Sequence, residues 1–320
     1  MQNPPPLTAG AVLSALRPKH WLKNAFVLAP LIFAGKFTSA YAWGQCLIAV
    51  AAFCLLSSSV YLFNDILDRD LDRKHKDKCR RPIASGQLHV GGAIVLSLFL
   101  ALMGLAVATL PGGPAQPAWA RATLIVSAVA YLVLNVLYST WLKSHSIIDV
   151  IAIALGFVLR ATAGAGAIAV AISPWLVICT FMLCFFLAVS KRRVEYLVYA
   201  DELDSPSRPS LKRYSIEELD RLLMVSATMA IMTYSLYCLA PRTVSHIGSG
   251  HMIWTIPVAL YGVLRYDRVS RRLLKGDIVD VLLADRVMWL VLAIFVILAG
   301  LVVLFGRTPG VAEILDIGRA

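Results

Sequence analysis

Long apolar runs alternate with short charged segments along most of the chain. The stretches 22–36, 44–63, 89–110, 120–139, 147–170, 174–190, 222–241, 252–266 and 287–305 carry few or no charges. A helix rises about 1.5 Å per residue, so roughly 20 apolar residues cross the hydrocarbon layer of a bilayer. The first and eighth runs are short. Pro111-Gly112-Gly113-Pro114 reads as a tight turn between the third and fourth, and Ser173-Pro174 divides the fifth from the sixth. The pattern predicts an all-α polytopic membrane protein with nine transmembrane helices.

Composition agrees. The chain has 320 residues, 59% of them hydrophobic and 15% charged, with a mean hydropathy of +0.74. Soluble domains are nearer about 45–50% apolar. One helical membrane domain over 16–306 is expected, with a disordered tail at 1–15 and a short tail at 307–320. The start is polar, contains Pro4-Pro5-Pro6, and shows no cleavable signal peptide. Cys46, Cys54, Cys179, Cys184 and Cys238 lie in apolar runs and read as small core residues rather than disulfides or ligands. Cys79 reads as an ordinary loop thiol.

The net charge of +11 is explained by membrane orientation, with no need for nucleic acid. Of the 30 Lys and Arg residues, all but Lys36, Arg121, Arg160, Arg242, Arg307 and Arg319 fall on one side of the nine-span alternation. That side holds the N-terminal segment, the loops 64–88, 140–146, 191–221 and 267–286, and the charged ends of their spans. The positive-inside rule makes it cytoplasmic, with the N-terminus inside and the C-terminus outside.

The chemistry concentrates at the end of the second run, in Asn64-Asp65-Ile66-Leu67-Asp68-Arg69-Asp70-Leu71-Asp72. At about 100° per residue, Asp65, Asp68 and Asp72 fall within about 60° of one another on a helix, while Asp70 points elsewhere. Three acids on one face repel unless a cation sits among them. Mg²⁺ takes oxygen ligands and is commonly shared with substrate phosphates. The motif therefore suggests a Mg²⁺–diphosphate site at a membrane helix end, against the plainer reading of a solvated acidic terminus. Arg73, Lys74, Lys76, Lys78, Arg80 and Arg81 follow at once, and acids for metal beside bases for phosphate favour the first reading.

Other polar groups suit anions. In Arg17-Pro18-Lys19-His20-Trp21-Leu22-Lys23-Asn24, Lys19 and Lys23 share a helical face, for phosphate binding or for interfacial anchoring. Arg80-Arg81-Pro82 has the same two readings. Asn135, Tyr138, Lys143 and Asp149 surround the fourth loop. Arg160 lies a dozen residues into an apolar run, where an unpaired charge is expensive, so it needs an anionic ligand, a cavity or a structural salt bridge. Gly164, Ala165 and Gly166 let a neighbouring helix approach. Lys191-Arg192-Arg193 ends the sixth run, with Glu195 on the same face as Lys191. Asp277 is placed to cap a helix, and Asp285-Arg286 reads as a local ion pair. No zinc spacing, nucleophile elbow, phosphate-binding glycine loop or dinucleotide fingerprint is present.

Asn64-Asp65-x-x-Asp68-x-x-x-Asp72 after the second of nine spans resembles the first signature of the UbiA-type intramembrane prenyltransferase superfamily. The resemblance implies a helical bundle, a polar cavity facing the cytoplasm, and Mg²⁺ held by Asp65, Asp68 and Asp72. Aromatic prenyltransferases of that superfamily carry a second acidic motif near the end of the sixth span. Here that place reads Ser190-Lys191-Arg192-Arg193-Val194-Glu195. Together with Arg17-Pro18-Lys19-x-Trp21-x-Lys23-Asn24 and Leu282-Leu283-x-Asp285-Arg286, it is similar to the decaprenyl-phosphate phosphoribosyltransferase branch. That branch implies transfer of 5-phosphoribosyl from phosphoribosyl diphosphate to a polyprenyl phosphate, in the bacterial inner membrane, for arabinan precursor synthesis in the cell envelope. The expected substrate-binding residues are Lys19, Lys23, Asn64, Arg81, Tyr138, Lys143, Arg160, Lys191 and Arg192. Membrane lipid is an expected partner, and a homo-oligomer is left open. Two alternatives stand beside this reading: prenyl transfer to an aromatic acceptor, and a non-enzymatic transporter or lipid-binding protein.

Overall fold

Short polar side chains start many of the helices. Thr8, Ser39, His89, Ser215, Asp277 and Asp285 each accept a hydrogen bond from a backbone N–H in the first turn that follows. In the computed structural model, which describes residues 8–75, 77–112, 116–198, 213–274 and 277–306, these caps open a wholly helical structure. The helices are α1 (Ala9–Leu16), α2 (Ala29–Phe33), α3 (Ala40–Leu67), α4 (Arg69–Lys74), α5 (Val90–Ala108), α6 (Ala118–Thr140), α7 (Ile148–Ala167), α8 (Pro174–Val198), α9 (Ile216–Leu239), α10 (Pro241–Ile247), α11 (Ile256–Leu273), α12 (Ile278–Ala284) and α13 (Arg286–Phe305). No strand occurs among the described residues.

Seven of these helices are long and apolar enough to cross a membrane: α3, α5, α6, α7, α8, α9 and α13. Pro241–Ile247 and His251–Leu273, bent by 99°, make an eighth if they count as one span. The first predicted run takes another form. Pro18–Leu28 is a 3₁₀ helix that leads into the short α2. Pro30, which would be interior to one continuous helix over this run, lacks the donor that a regular helix would use there. The 3₁₀ run also packs tightly on α7, where Gly164 meets it: a Cβ there would lie 1.9 Å from the Val27 carbonyl oxygen.

Two further expectations are revised. Residues 9–15, expected within a disordered tail, belong to α1, whose Ala11 and Ala15 are buried. Asp285 pairs with Arg265 at 2.9 Å and caps α13 through the Met288 N–H, rather than forming a local pair with Arg286. The tails at 1–7 and 307–320, together with Lys76, Arg208 and Lys212, lie outside the described residues. None of the six cysteines forms a disulfide among the described residues.

The two largest apolar clusters hold the middle of the bundle. One joins α3, α6 and α7 through Phe53, Leu56, Leu124, Ala128, Tyr131 and Ala163. The other joins α7, α8, α9 and α11 through Val150, Phe186, Leu219, Leu223 and Tyr266. α7 belongs to both and runs through the middle. Ser59 and Ser97 exchange hydrogen bonds with each other's carbonyls at 2.8 and 2.9 Å, which ties α3 to α5 where both backbones approach. Leu98, Phe99 and Leu102 of α5 and Leu290, Ile297 and Leu301 of α13 stay exposed. Apolar surface of this kind suits lipid rather than water.

Candidate active site

Where α3 ends, the acidic motif divides in two. Asp65 is on the last turn of α3, Asp68 is its C-cap, and Asp72 lies on α4. Asp65 and Asp72 are buried. One nitrogen of Arg81, Nη1, lies 3.1 Å from Asp65 and 2.6 Å from Asp72, so these two acids share a single cation. Arg17 adds a second contact to Asp65 at 2.5 Å. Asp68 instead meets Lys143 at 2.5 Å and accepts a bond from the Asn64 amide at 2.9 Å. Asp70 faces out, with its side chain 86% exposed, and among the described residues pairs with Arg73 alone, at 3.7 Å.

Beside this mouth lies a cavity of about 180 Å³ lined by Lys23, Tyr61, Tyr131, Asn135, Tyr138, Gly156, Phe157, Arg160, Lys191 and Asp277, among others. Tyr61 joins the two regions. It stands one turn before Asp65 on α3, its ring lies 5.0 Å below the Arg17 guanidinium, and the His20 ring lies tilted beside it at 5.3 Å. The Lys23 ammonium reaches Asp277 at 2.7 Å and Lys191 reaches the same oxygen at 3.4 Å. Burial would raise the Asp277 carboxyl, yet Lys191 and Lys23 hold it well below the usual carboxylate range. Burial and the nearby Lys23 push His20 down to about 4, so it is neutral at pH 7.

Arg160 sits buried in the cavity wall. Its three nitrogens donate to Asn24 Oδ1 at 2.9 Å, the Gly156 carbonyl at 3.0 Å and the Tyr131 hydroxyl at 2.9 Å. The rings of Tyr131 and Phe157 flank it at 4.7 and 5.0 Å. Among the described residues it has no carboxylate partner, so its charge is solvated by dipoles and rings alone.

Arg192 belongs to a separate buried network. It donates to Asp149 at 2.6 Å, to Glu195 at 2.5 Å and to the Tyr138 hydroxyl at 2.8 Å. Tyr214 donates to the other oxygen of Asp149 at 2.7 Å. Every guanidinium nitrogen of Arg192 is thus engaged by protein. Lys19 is exposed and does not line the cavity. The structure therefore gathers Asn64, Asp65, Asp68, Asp72, Arg81 and Lys143 at the mouth, and Lys23, Tyr138, Arg160 and Lys191 at the cavity.

A sequence profile of the UbiA prenyltransferase family matches residues 24–277. The chain belongs to the UbiA prenyltransferase family. Among its UbiA relatives, the decaprenyl-phosphate phosphoribosyltransferase of Mycobacterium tuberculosis (strain ATCC 25618 / H37Rv) is 30% identical over 310 residues, covering 95% of this chain and 98% of that protein. The protein of the same name from Mycolicibacterium smegmatis is 29% identical over 297 residues, covering 89% and 90%. In fold, a UbiA homolog from Archaeoglobus fulgidus bound to DMAPP and Mg²⁺ matches with a TM-score of 0.66 at 17% identity, covering 92% of this chain and 99% of that one.

Asp65, Asp68, Asp72 and the Asn64 amide offer only oxygen donors to a metal, the kind that a hard divalent cation takes. Arg17, Arg81 and Lys143 already lie on the three carboxylates, which shows that the mouth draws positive charge. Among the described residues no three acids converge on one point. In donor type the site fits a Mg²⁺ ion, which would displace side-chain cations from the acids.

Sequence reasoning did not select Arg17, Asn24, Tyr61, Tyr131 or Asp277 as site residues. Tyr61 carried a usable signal, since it stands four residues before Asp65 on the same helix face. Arg17 and Asn24 lay within the N-terminal motif already singled out.

Proposed function

We propose that the protein transfers the 5-phosphoribosyl group of phosphoribosyl diphosphate to a polyprenyl phosphate and releases diphosphate. The observation that carries this reading is the presence of two separate cation sets, Arg17, Arg81 and Lys143 at the acidic mouth and Lys23, Lys191 and Arg160 at the cavity. A donor with a diphosphate on C1 and a phosphate on C5 needs two. The name shared by the mycobacterial relatives supports the choice of donor and acceptor.

Asp65, Asp68 and Asp72, with Asn64, would hold Mg²⁺, which when bound supplies charge neutralisation on the leaving diphosphate. Arg17, Arg81 and Lys143, released from their carboxylates, would turn to diphosphate oxygens through charge-assisted hydrogen bonds. Lys23 and Lys191 would take a second phosphate. The lipid phosphate is an anion at neutral pH and needs little help from a general base. Its oxygen attacks C1, the bond from C1 to the diphosphate oxygen breaks, and that electron pair leaves with diphosphate. Tyr61, between the two cation sets, would cover the sugar. Arg192 would position Tyr138 rather than touch substrate. The bundle would cross a bacterial plasma membrane nine times, with the 22–36 run as the first crossing, the N-terminus inside and the mouth toward the cytoplasm.

Purified protein offered Mg²⁺, phosphoribosyl diphosphate and a mixture of polyprenyl phosphates should release diphosphate and form a lipid of the phosphoribosylated mass. Asp68→Asn should remove nearly all turnover, while Asp70→Asn, on the exposed side, should retain most of it. Turnover only with prenyl diphosphate and an aromatic acceptor would overturn the reading.

A further inference from the structure

Among the residues that line the cavity, Lys23, Arg160 and Lys191 are cations and Asp277 is the single acid. Its carboxylate comes from the N-cap of α12, far along the chain from Lys23. Oδ2 receives Lys23 at 2.7 Å and Lys191 at 3.4 Å. Oδ1 receives the Val279 N–H at 3.1 Å, with the His20 ring 3.9 Å away. Among the described residues neither lysine forms an ion pair with any other acid. Two ammonium groups from separate elements, held side by side at a cavity wall, form a site for an anion, and here the chain fills it with its own.

We propose that Asp277 is an internal stand-in for a substrate phosphate and sets the selectivity of the Lys23–Lys191 subsite. A phosphate group must displace the carboxylate to reach both ammonium groups. A phosphate ester with close to two negative charges can do so, whereas a singly charged carboxylate ligand gains nothing over the resident one. Asp277 thus keeps the two lysines together when the site is free and excludes weaker anions. This rests on the assignment of Lys23 and Lys191 to phosphate made above. The phosphate in question is carried by the sugar or by the lipid, and the measurement separates the two.

Asn and Ser cap helices about as well as Asp, so Asp277→Asn and Asp277→Ser remove the charge and keep the start of α12. Full-length protein in detergent, without Mg²⁺, is titrated with ribose 5-phosphate, with geranyl phosphate and with 4-hydroxybenzoate by calorimetry. When a resident group leaves a site open only a tenth of the time, apparent affinity falls about tenfold. Asp277→Asn and Asp277→Ser should therefore bind one of the two phosphates about tenfold more tightly than the native protein, and Asp277→Glu should stay close to it. The phosphate that tightens identifies which substrate the subsite holds. The benzoate should begin to bind only when the charge is gone. Unchanged or weaker binding of both phosphates in both neutral variants overturns the proposal, since it would mean that Asp277 contacts the ligand or is irrelevant to it. Binding is read without turnover, so tighter phosphate binding in a protein that makes no phosphoribosyl lipid would uphold Asp277 and sink the transfer reaction instead.

Discussion

Lys191 and Arg192 follow one another on α8, yet their side chains end in different company. Lys191 lines the cavity, and among the described residues its one ion pair is with the Asp277 carboxylate, at 3.4 Å. Arg192 is buried with Asp149, Glu195 and Tyr138 on its three nitrogens. Removing Arg192 leaves the fully buried Asp149 without its cation, and breaking a buried pair from one side costs about 3–5 kcal/mol. Arg192→Ala should therefore lower the thermal midpoint steeply in detergent. Lys191→Ala should leave the midpoint almost unchanged. Because a hydrogen bond to a charged group is worth about 1.5–3 kcal/mol, it should reduce kcat/KM for phosphoribosyl diphosphate roughly ten- to a hundredfold. A destabilised Lys191→Ala with normal kinetics would reverse the two roles.

Among elements, the tightest approach of backbone to a glycine is the seat of the 3₁₀ run on α7. Gly164 has no room for a side chain, because the Val27 carbonyl would meet a Cβ at 1.9 Å and belongs to backbone that cannot rotate away. Gly164→Ala must push the run off α7. Overpacking of this kind costs about 1–3 kcal/mol. Arg160 stands four residues earlier on α7 and holds Asn24 of the same run, so the displacement should also disturb the cavity wall and lower activity in the protein that remains folded. Gly44 on α3 is the control: a Cβ there meets nothing within 4 Å. Gly44→Ala should be neutral or stabilise by up to about 1 kcal/mol. Melting curves of the two variants check the contrast, and equal midpoints would show that the 3₁₀ run yields freely.

For the whole molecule the open quantity is sidedness. The charge asymmetry along the chain predicts that the mouth formed by Asp65, Arg81 and Lys143 faces the cytoplasm. Exposed Lys74 on α4 and exposed Ser245 on α10 report the two ends of the bundle. With Cys79 changed to Ser to remove background, a Cys at 74 should resist an impermeant thiol reagent in intact cells, and a Cys at 245 should react. The opposite labelling would place the site away from a cytosolic sugar diphosphate.

Helicity, membrane insertion, the acidic motif and most of the cations around it could be read from the sequence, because each depends on local pattern. Apolar length identifies a span. The spacing of Asp65, Asp68 and Asp72 suggests one helical face, but α3 ends at Asp68, so Asp65 and Asp72 share Arg81 while Asp68 turns to Lys143. The form of the 22–36 run, a 3₁₀ helix followed by a short α-helix, has one local cause in Pro30 and one that is not local, its packing against Gly164. Likewise α1 is ordered because α3 covers Ala15. The partners were beyond local reading altogether. Lys23 and Asp277 lie 254 positions apart, and nothing in either neighbourhood says that one carboxylate will join Lys23 to Lys191. Arg192 and Lys191 look alike in sequence, since only the position of Asp149 decides which of them is held in the framework. Local pattern alone says which charges the protein has and near which helix ends they lie. Tertiary structure decided which of them neutralise one another and which face the cavity, because an ion pair depends on distance in space and the chain must fold before distant charges meet.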